Sequence, residues 1–166
     1  MQHVPIVVGV DDSPGSRAAL RWALRQADRT GAEVEAVWVW GLPSAFFYGA
    51  EWAAAACPIH DLAADAERVL LDTLVDVLRE YGPSVPVRPR VVQGRPADEL
   101  LRAAESAQML VLGGPAHGRV AGLLLGSVSH QCVQRAACPV VVVPPEAADL
   151  PVPSGRRPGA VMSSDG

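Results

Sequence analysis

Residues 109–143 have the sequence MLVLGGPAHGRVAGLLLGSVSHQCVQRAACPVVVV, in which two apolar runs flank a glycine-rich segment. The first run, Met109–Leu112, lacks polar alternation, as is typical of a parallel strand buried on both faces. Glycines follow at 113, 114, 118, 122 and 126, and Ser127 and Ser129 precede a helical pattern that extends to Ala137. Glycines let backbone N–H groups approach a ligand, and a helix start leaves N–H groups without partners. The segment therefore predicts a strand, a loop suited to an anion such as phosphate, a helix and a second strand.

Two well-known phosphate motifs are excluded. A Walker A loop needs Lys and then Ser or Thr after its last glycine, whereas Gly118 precedes Arg119 and Val120, and the chain has no lysine. A G-x-G-x-x-G motif is absent both here and after the first predicted strand. The glycine pattern therefore disfavours a P-loop and an NAD site.

The rest of the chain alternates between apolar runs and helical patterns. The predicted strands are residues 6–10, 34–40, 85–92, 109–112 and 139–143, and the predicted helices are 14–30, 60–81, 97–106 and the one that ends near 137. Ser13 is the expected N-cap of the first helix, and Pro86 and Pro89 indicate that the third strand lies at a sheet edge. The alternation predicts an α/β fold with a doubly wound, five-stranded parallel sheet in the order 3-2-1-4-5 and helices on both faces.

This strand order predicts where a ligand would bind. The first and fourth strands become neighbours, and their connections leave to opposite faces of the sheet. Ligands of such sheets bind beyond the carboxyl ends of those strands. Gly9–Ser13 is therefore expected to lie beside Leu112, Gly113 and the glycine-rich loop.

The loop resembles the signature of the universal stress protein family, which is a strand, G-x2-G-x9-G-[S/T] and a helix. Gly113, Ala116 and Gly126–Ser127 stand at those spacings, with Ala116 in place of the second glycine. The resemblance covers about residues 4–144 and implies a Rossmann-like fold of the adenine nucleotide alpha hydrolase type. We expect a universal stress protein domain over residues 1–145 and a disordered Pro/Gly/Ser-rich tail over 146–166.

The resemblance implies an ATP site, with or without Mg²⁺. Asp11 matches the acidic residue that ends the family's first strand near the nucleotide, and Val39 matches a position that lines the adenine pocket. The positions around the ribose and phosphates correspond to Gly113, Ala116, Gly126, Ser127, Val128 and Ser129. Gly9, Val10 and Leu112 complete the candidate site from the strand ends. Asp12 stands where many relatives have glycine, and its charge would repel a triphosphate unless Mg²⁺ or Arg119 compensates for it.

Several of these residues have alternative structural roles. Asp11 or Asp12 could assist Ser13 in capping the first helix, and Ser127 could cap its own helix. Other residues near the predicted site are expected to have structural roles. His117 and His130 are expected to be solvent-facing or capping residues, and Cys132 and Cys138 core residues. The aromatic residues are expected in the core and at an interface: Trp38, Trp40, Phe46, Phe47 and Tyr48.

Composition narrows the class of protein. No apolar run approaches the roughly 18 residues needed to span a bilayer, and the first residues lack a signal-peptide pattern, so a soluble cytoplasmic protein without a membrane partner is expected. A net charge of −4 without a dense basic cluster disfavours nucleic acid. The three cysteines have neither metal-binding nor disulfide spacing, so no metal site is predicted.

No catalytic constellation is recognised, and no catalytic residue is assigned; slow ATP hydrolysis is the most that is expected. The preferred function is an ATP-binding module that regulates an unidentified protein partner in a stress response. One alternative, motivated by Ala116, Asp12 and Pro115, is a dimeric interaction or chaperone-like member without nucleotide; another is an adenylating or phosphoryl-transfer enzyme that offers only Arg119 as its basic residue. In each case we expect a homodimer through the edge strand Pro139–Val143, because a bare apolar edge invites association.

Overall fold

The computed structural model of the chain describes residues 4–41, 59–82, 85–115 and 125–145. The elements are β1 Ile6–Gly9, α1 Pro14–Thr30, β2 Val34–Trp40, α2 Ile59–Tyr81, β3 Val87–Gln93, α3 Pro96–Ala103, β4 Met109–Gly113, α4 Ser127–Arg135 and β5 Val140–Val143. Their order is the predicted one, and most ends differ from the prediction by one or two residues. The last three residues of the predicted third helix, Ala104–Ser106, instead form a 3₁₀ turn.

The five strands form one parallel sheet in the order β3-β2-β1-β4-β5, which confirms the predicted fold class. β1 is central, and Ile6 pairs with Val34 of β2 and with Met109 of β4. The carboxyl ends of β1 and β4 therefore lie side by side.

Helices cover both faces of the sheet. On one face, Leu20 and Leu24 of α1 and Leu70 of α2 pack against Ile6 and Val8 in the larger core. On the other face, Ala97 and Leu100 of α3 and Cys132 of α4 pack against Val7 and Leu110 in a smaller core. Successive residues of β1 thus enter different cores, as expected for a strand buried on both sides.

The first helix begins and ends at the predicted signals. The Ser16 N–H donates to Ser13 Oγ at 3.1 Å, so Ser13 is the N-cap, and Pro14 is the first helical residue. Gly31 ends the helix at φ 70°, a left-handed conformation that glycine adopts without a steric penalty. The cap fixes the start of α1 directly beyond the end of β1.

The two edges of the sheet differ in chemistry. Arg88, Pro89 and Arg90 of β3 are exposed, and the arginines form ion pairs with Glu33 and Glu35 at 2.7 and 2.9 Å. Proline cannot donate a hydrogen bond to a further strand, and charged side chains discourage one. The edge position predicted for the third strand is confirmed, and the opposite edge consists of four valines in β5.

The two cysteines in the described residues behave as core residues, as predicted. Cys132 is fully buried, and burial raises the pKa of its thiol; Cys138 packs partly buried against the smaller core. Trp38 likewise packs against the larger core. In the described ranges, no helix combines the length and apolarity needed to cross a membrane.

Some predictions fall on residues outside the described ranges. These residues are the loop 42–58, the glycine-rich segment 116–124 with Ala116, His117 and Arg119, and the tail 146–166. The predictions for them stay predictions.

Candidate functional site

A cleft lies at the carboxyl ends of β1, β2 and β4, the position that the strand order predicted. Eight of the eleven predicted site residues line it: Gly9, Val10, Asp11, Val39, Leu112, Gly113, Val128 and Ser129. Gly126 and Ser127 lie at the start of α4 but are not among the described lining residues, and Ala116 is outside the described ranges. That these residues contact a ligand stays a prediction.

The floor of the cleft is apolar. Val37, Leu100 and Leu112 belong to the smaller core, and Val39 and Val128 pack against it partly exposed. The polar lining groups are Asp11 and Ser13 of the loop after β1, Ser16 of the first turn of α1, and Ser129 of α4. An apolar floor with a few convergent polar groups is typical of sites for small organic ligands.

The loop after β1 is held by its own hydrogen bonds. Asp11 Oδ1 accepts from the Ser13 N–H at 3.2 Å and from Ser13 Oγ at 2.6 Å, and the Asp11 N–H donates to Ser16 Oγ at 3.3 Å. Asp11 therefore supports the Ser13 cap, which was its alternative role, and it also lines the cleft. Within the described residues, its second oxygen, Oδ2, accepts no hydrogen bond.

Packing against backbone requires the glycine at Gly113, and Gly9 lies close to a leucine side chain. A Cβ on Gly113 would lie 2.5 Å from Ser16 N and 2.7 Å from Gly15 O, and a Cβ on Gly9 would lie 2.9 Å from Leu112 Cδ2. The first turn of α1 thus packs directly on the backbone of β4. This close approach brings the polar loop and the end of β4 into one cleft.

Gly126 differs from these two glycines. Its φ of −68° is accessible to any residue, and a Cβ built on it meets nothing within 4 Å. Neither backbone strain nor packing in the described residues accounts for a glycine here. A ligand that lies against the backbone at the start of α4 would account for it.

The start of α4 departs from one expectation. The N-cap is Gly126 and it makes no side-chain cap, whereas Ser127 is the first helical residue and is exposed. The alternative role of Ser127 as a cap is therefore wrong, because the helix begins one residue earlier than that role requires. Ser129 is buried, and its Oγ donates to the Gly113 carbonyl at 3.2 Å, which ties α4 to the end of β4.

Asp12 is compensated by a residue that the sequence analysis missed. Its Oδ1 accepts from Arg17 Nε at 3.1 Å and from Thr73 Oγ1 at 3.2 Å, and Arg17 Nη2 also bonds it. The expectation that compensation would need Mg²⁺ or Arg119 is corrected, since Arg17 supplies a positive charge. His130 is exposed, as expected.

Five other lining residues were not among the predicted site residues: Ser13, Ser16, Val37, Pro96 and Leu100. Strand alternation could have identified Val37, which lies two residues before Val39, and Ser16 lies one turn after the Ser13 cap. Pro96 and Leu100 carry no local signal, because they reach the cleft only when α3 packs on the sheet. Among the described residues, no group of three or more His, Cys, Asp or Glu side chains could hold a metal ion.

The sheet order and the position of the cleft define a doubly wound, Rossmann-like α/β protein with its candidate site at the point where the strand order reverses. The model of the universal stress protein family matches residues 4–144. The chain therefore belongs to the universal stress protein family.

Related sequences agree with this assignment. A universal stress protein of Mycobacterium tuberculosis is 37% identical over 147 residues, which cover 85% of this chain and 45% of that protein. A universal stress protein of Mycolicibacterium smegmatis is 34% identical, with 86% of this chain and 46% of that protein covered. The chain thus spans about half the length of these curated relatives.

Solved structures of the family share the fold. The universal stress protein UspA of Lactobacillus plantarum has a TM-score of 0.62 at 22% identity, covering 86% of this chain and 99% of that chain. A universal stress protein in complex with cAMP has a TM-score of 0.65 at 23% identity, covering 86% and 98%. The Archaeoglobus fulgidus universal stress protein in complex with dAMP has a TM-score of 0.51 at 22% identity, covering 86% and 99%.

Proposed function

We propose that the chain binds an adenine nucleotide in the cleft at the ends of β1 and β4, and that the ligand is ATP with or without Mg²⁺. The observation that carries this proposal is Gly126, which precedes the lining residues Val128 and Ser129 at the start of α4. Packing among the described residues does not require a glycine there, so the N-terminal backbone of α4 is left without a side chain beside it. Backbone N–H groups at a helix start attract phosphate through hydrogen bonding and the helix dipole.

The other parts of the cleft suit the rest of such a ligand. The apolar floor around Val39 accommodates a flat base, and Asp11 Oδ2 accepts hydrogen bonds from ribose hydroxyls or an amino group. The cAMP and dAMP complexes of similar structures support an adenine ligand. Ser129 retains acceptor capacity while it donates to Gly113.

Calorimetric titration with ATP, Mg²⁺-ATP and AMP tests the proposal, with the parent and a Gly126→Ala variant compared. We expect the parent to bind and the variant to lose about tenfold or more in affinity, because a methyl group would obstruct the approach of the phosphate to the backbone. Its unfolding midpoint should match that of the parent, since the new Cβ meets nothing within 4 Å. Equal affinities in the two proteins would contradict the proposed location.

A second candidate is a family member that has given up its nucleotide and acts through protein contacts. It is favoured by Ala116, which occupies the position of a family glycine. If the parent binds no nucleotide and Ala116→Gly restores binding, this candidate replaces the first one. Binding by the parent eliminates it.

We further propose that the chain forms a homodimer through β5 and acts on an unidentified regulatory partner in a cytoplasmic stress response. The support for the dimer is the difference between the sheet edges, since β3 carries proline and arginines whereas β5 carries only valines. The role in a stress response is supported by the names of the matched relatives, which are universal stress proteins.

A further inference from the structure

Asp12 adopts an unusual backbone conformation beside the cleft. Its φ is 60°, and among the described residues it is the one non-glycine residue with positive φ. Aspartate tolerates this left-handed region better than most residues, but at a cost relative to glycine. The conformation persists because the side chain is held in place.

The side chain of Asp12 is held on the α2 side. Its neighbours in the chain, Asp11 and Ser13, both line the cleft, whereas Asp12 is not among the lining residues. Its Oδ1 bonds Arg17 on α1 and the fully buried Thr73 on α2. Asp12 therefore lies between two residues that line the cleft, but its carboxylate is directed at the guanidinium of Arg17.

Arg17 has two acidic partners. Besides Asp12, it reaches Asp76 of α2 with Nη1 to Oδ2 at 3.4 Å, and the hydrogen bond that Arg17 donates to Asp12 raises the pKa of its guanidinium. One helical turn further along α1, Arg21 forms a comparable ion pair with Glu80 of α2 at 2.7 Å. Arg21 makes no described contact with the loop after β1, so it provides a matched control.

We propose that Arg17 determines the ligand preference of the cleft through Asp12, by neutralising a carboxylate that would otherwise repel the phosphate of a bound nucleotide. The inference depends on the proposed function, since it concerns the ligand of the same cleft. Arg17 acts as a positioning and charge-compensating residue and does not itself line the cleft.

The expected effect follows from electrostatics. Asp11 already contributes one negative charge to the lining, and an uncompensated Asp12 would add a second one adjacent to it. Between partly exposed groups, such a charge weakens the binding of a phosphate dianion about three- to tenfold at low salt, and it leaves a neutral ligand nearly unaffected.

The test compares AMP with adenosine, which share the base and the ribose but differ in charge. Arg17→Gln and Arg21→Gln are titrated with both ligands at roughly 50 mM and 500 mM salt. We expect Arg17→Gln to weaken AMP about three- to tenfold and adenosine less than twofold, with the AMP loss shrinking at high salt. Arg21→Gln should leave both affinities unchanged.

A double variant separates charge from structure. Asp12→Asn in the Arg17→Gln background removes the unpaired charge and keeps a residue that tolerates positive φ, so we expect AMP affinity to return to within about twofold of the parent. Equal weakening of AMP and adenosine by Arg17→Gln, or failure of Asp12→Asn to restore AMP binding, would overturn the inference. If the parent binds none of ATP, AMP and adenosine, the proposed function fails and the inference falls with it. A parent that binds ATP or AMP leaves the variants to decide on Arg17 alone.

Discussion

Gly113 and Gly126 both occupy the family signature, but their surroundings give them different roles. The backbone of α1 fills the space where a side chain on Gly113 would lie, whereas the space beside Gly126 is open. Gly113 thus serves the packing of the fold, whereas packing among the described residues does not account for Gly126.

The role of Gly113 in packing predicts that Gly113→Ala destabilises the protein. A Cβ 2.5 Å from Ser16 N forces α1 and β4 apart, and overpacking of this kind costs about 1–3 kcal/mol. The measurement is the chemical denaturation midpoint, with Gly126→Ala as the control that keeps it. A Gly113→Ala protein as stable as the parent would show that the contact between α1 and β4 is loose.

At the scale of single residues, the sequence predicted what depends on near neighbours in the chain. Ser13 was recognisable as a cap because Pro14 follows it. Asp11 was recognisable as a candidate site residue because it ends an apolar strand. The pairing of Asp12 with Arg17 and Thr73 was not predictable, because it depends on a positive φ and on a helix 61 residues away. Ser127 was not predicted to be the first, exposed residue of α4, because capping preference alone does not fix the first helical residue.

Among the elements, α3 and α4 are joined by an ion pair between residues 37 positions apart. Arg135 Nη1 donates to Asp98 Oδ1 at 2.8 Å, and this hydrogen bond holds the pKa of the Asp98 carboxyl below its ordinary value of 3.8. Both helices carry cleft residues, Leu100 on α3 and Ser129 on α4. The pair therefore links two sides of the site at the surface.

The depressed pKa of Asp98 predicts a pH dependence for Arg135→Gln. A carboxyl whose pKa is lower in the folded state than in the unfolded state stabilises the fold above its unfolded pKa, and this contribution is lost as the pH falls through the folded pKa. We expect the variant to unfold at lower denaturant than the parent near pH 7, with the difference disappearing below the folded pKa of Asp98. Parallel denaturation curves at about pH 7, 5 and 3 provide the measurement.

The control for this experiment is Arg102→Gln. Arg102 pairs with Glu99 of the same helix, and it affects Asp98 less than Arg135 does. The difference in unfolding between Arg102→Gln and the parent should change less with pH than the difference between Arg135→Gln and the parent. If the Arg135→Gln difference persists unchanged at about pH 3, the stabilisation does not come from the ionised Asp98.

The type and order of the elements followed from sequence because the apolar runs are short and the helical stripes are regular. Leu20, Ala23, Leu24 and Ala27 of α1 were predicted as its inner stripe, and all are buried. The contribution of α3 to the cleft did not follow, because the angle at which a helix packs on a sheet leaves no pattern in eight residues.

For the whole molecule, the open edge of the sheet has a defined hydrogen-bond direction. The Leu110 N–H donates to the Pro139 carbonyl and the Gly114 N–H to the Val143 carbonyl, so residues 139, 141 and 143 face β4. Alternate residues, Val140 and Val142, therefore present their N–H groups outward. In the proposed dimer, these groups donate to the second copy of the chain.

Val142→Pro is expected to abolish the proposed dimer. Proline removes an outward N–H and leaves the bonds between β4 and β5 intact, because the Val142 N–H does not face β4. Sedimentation velocity should show a dimer for the parent and a monomer for the variant, with Val142→Ala, which keeps the N–H, remaining a dimer. A dimer that persists in Val142→Pro would assign the interface to another surface.

The contrast between the two sheet edges also limits how many copies of the chain can join through strand pairing. Arg88, Pro89 and Arg90 discourage strand pairing at the β3 edge of the sheet. Each copy therefore offers one edge, that of β5, for pairing with another copy. Two copies that pair through β5 have no further sheet edge suited to strand pairing. Assembly by this route therefore stops at the dimer, even at high protein concentration. The proposed dimer would in this way be the end point of assembly through strand pairing, and the chain would not form fibres by this route.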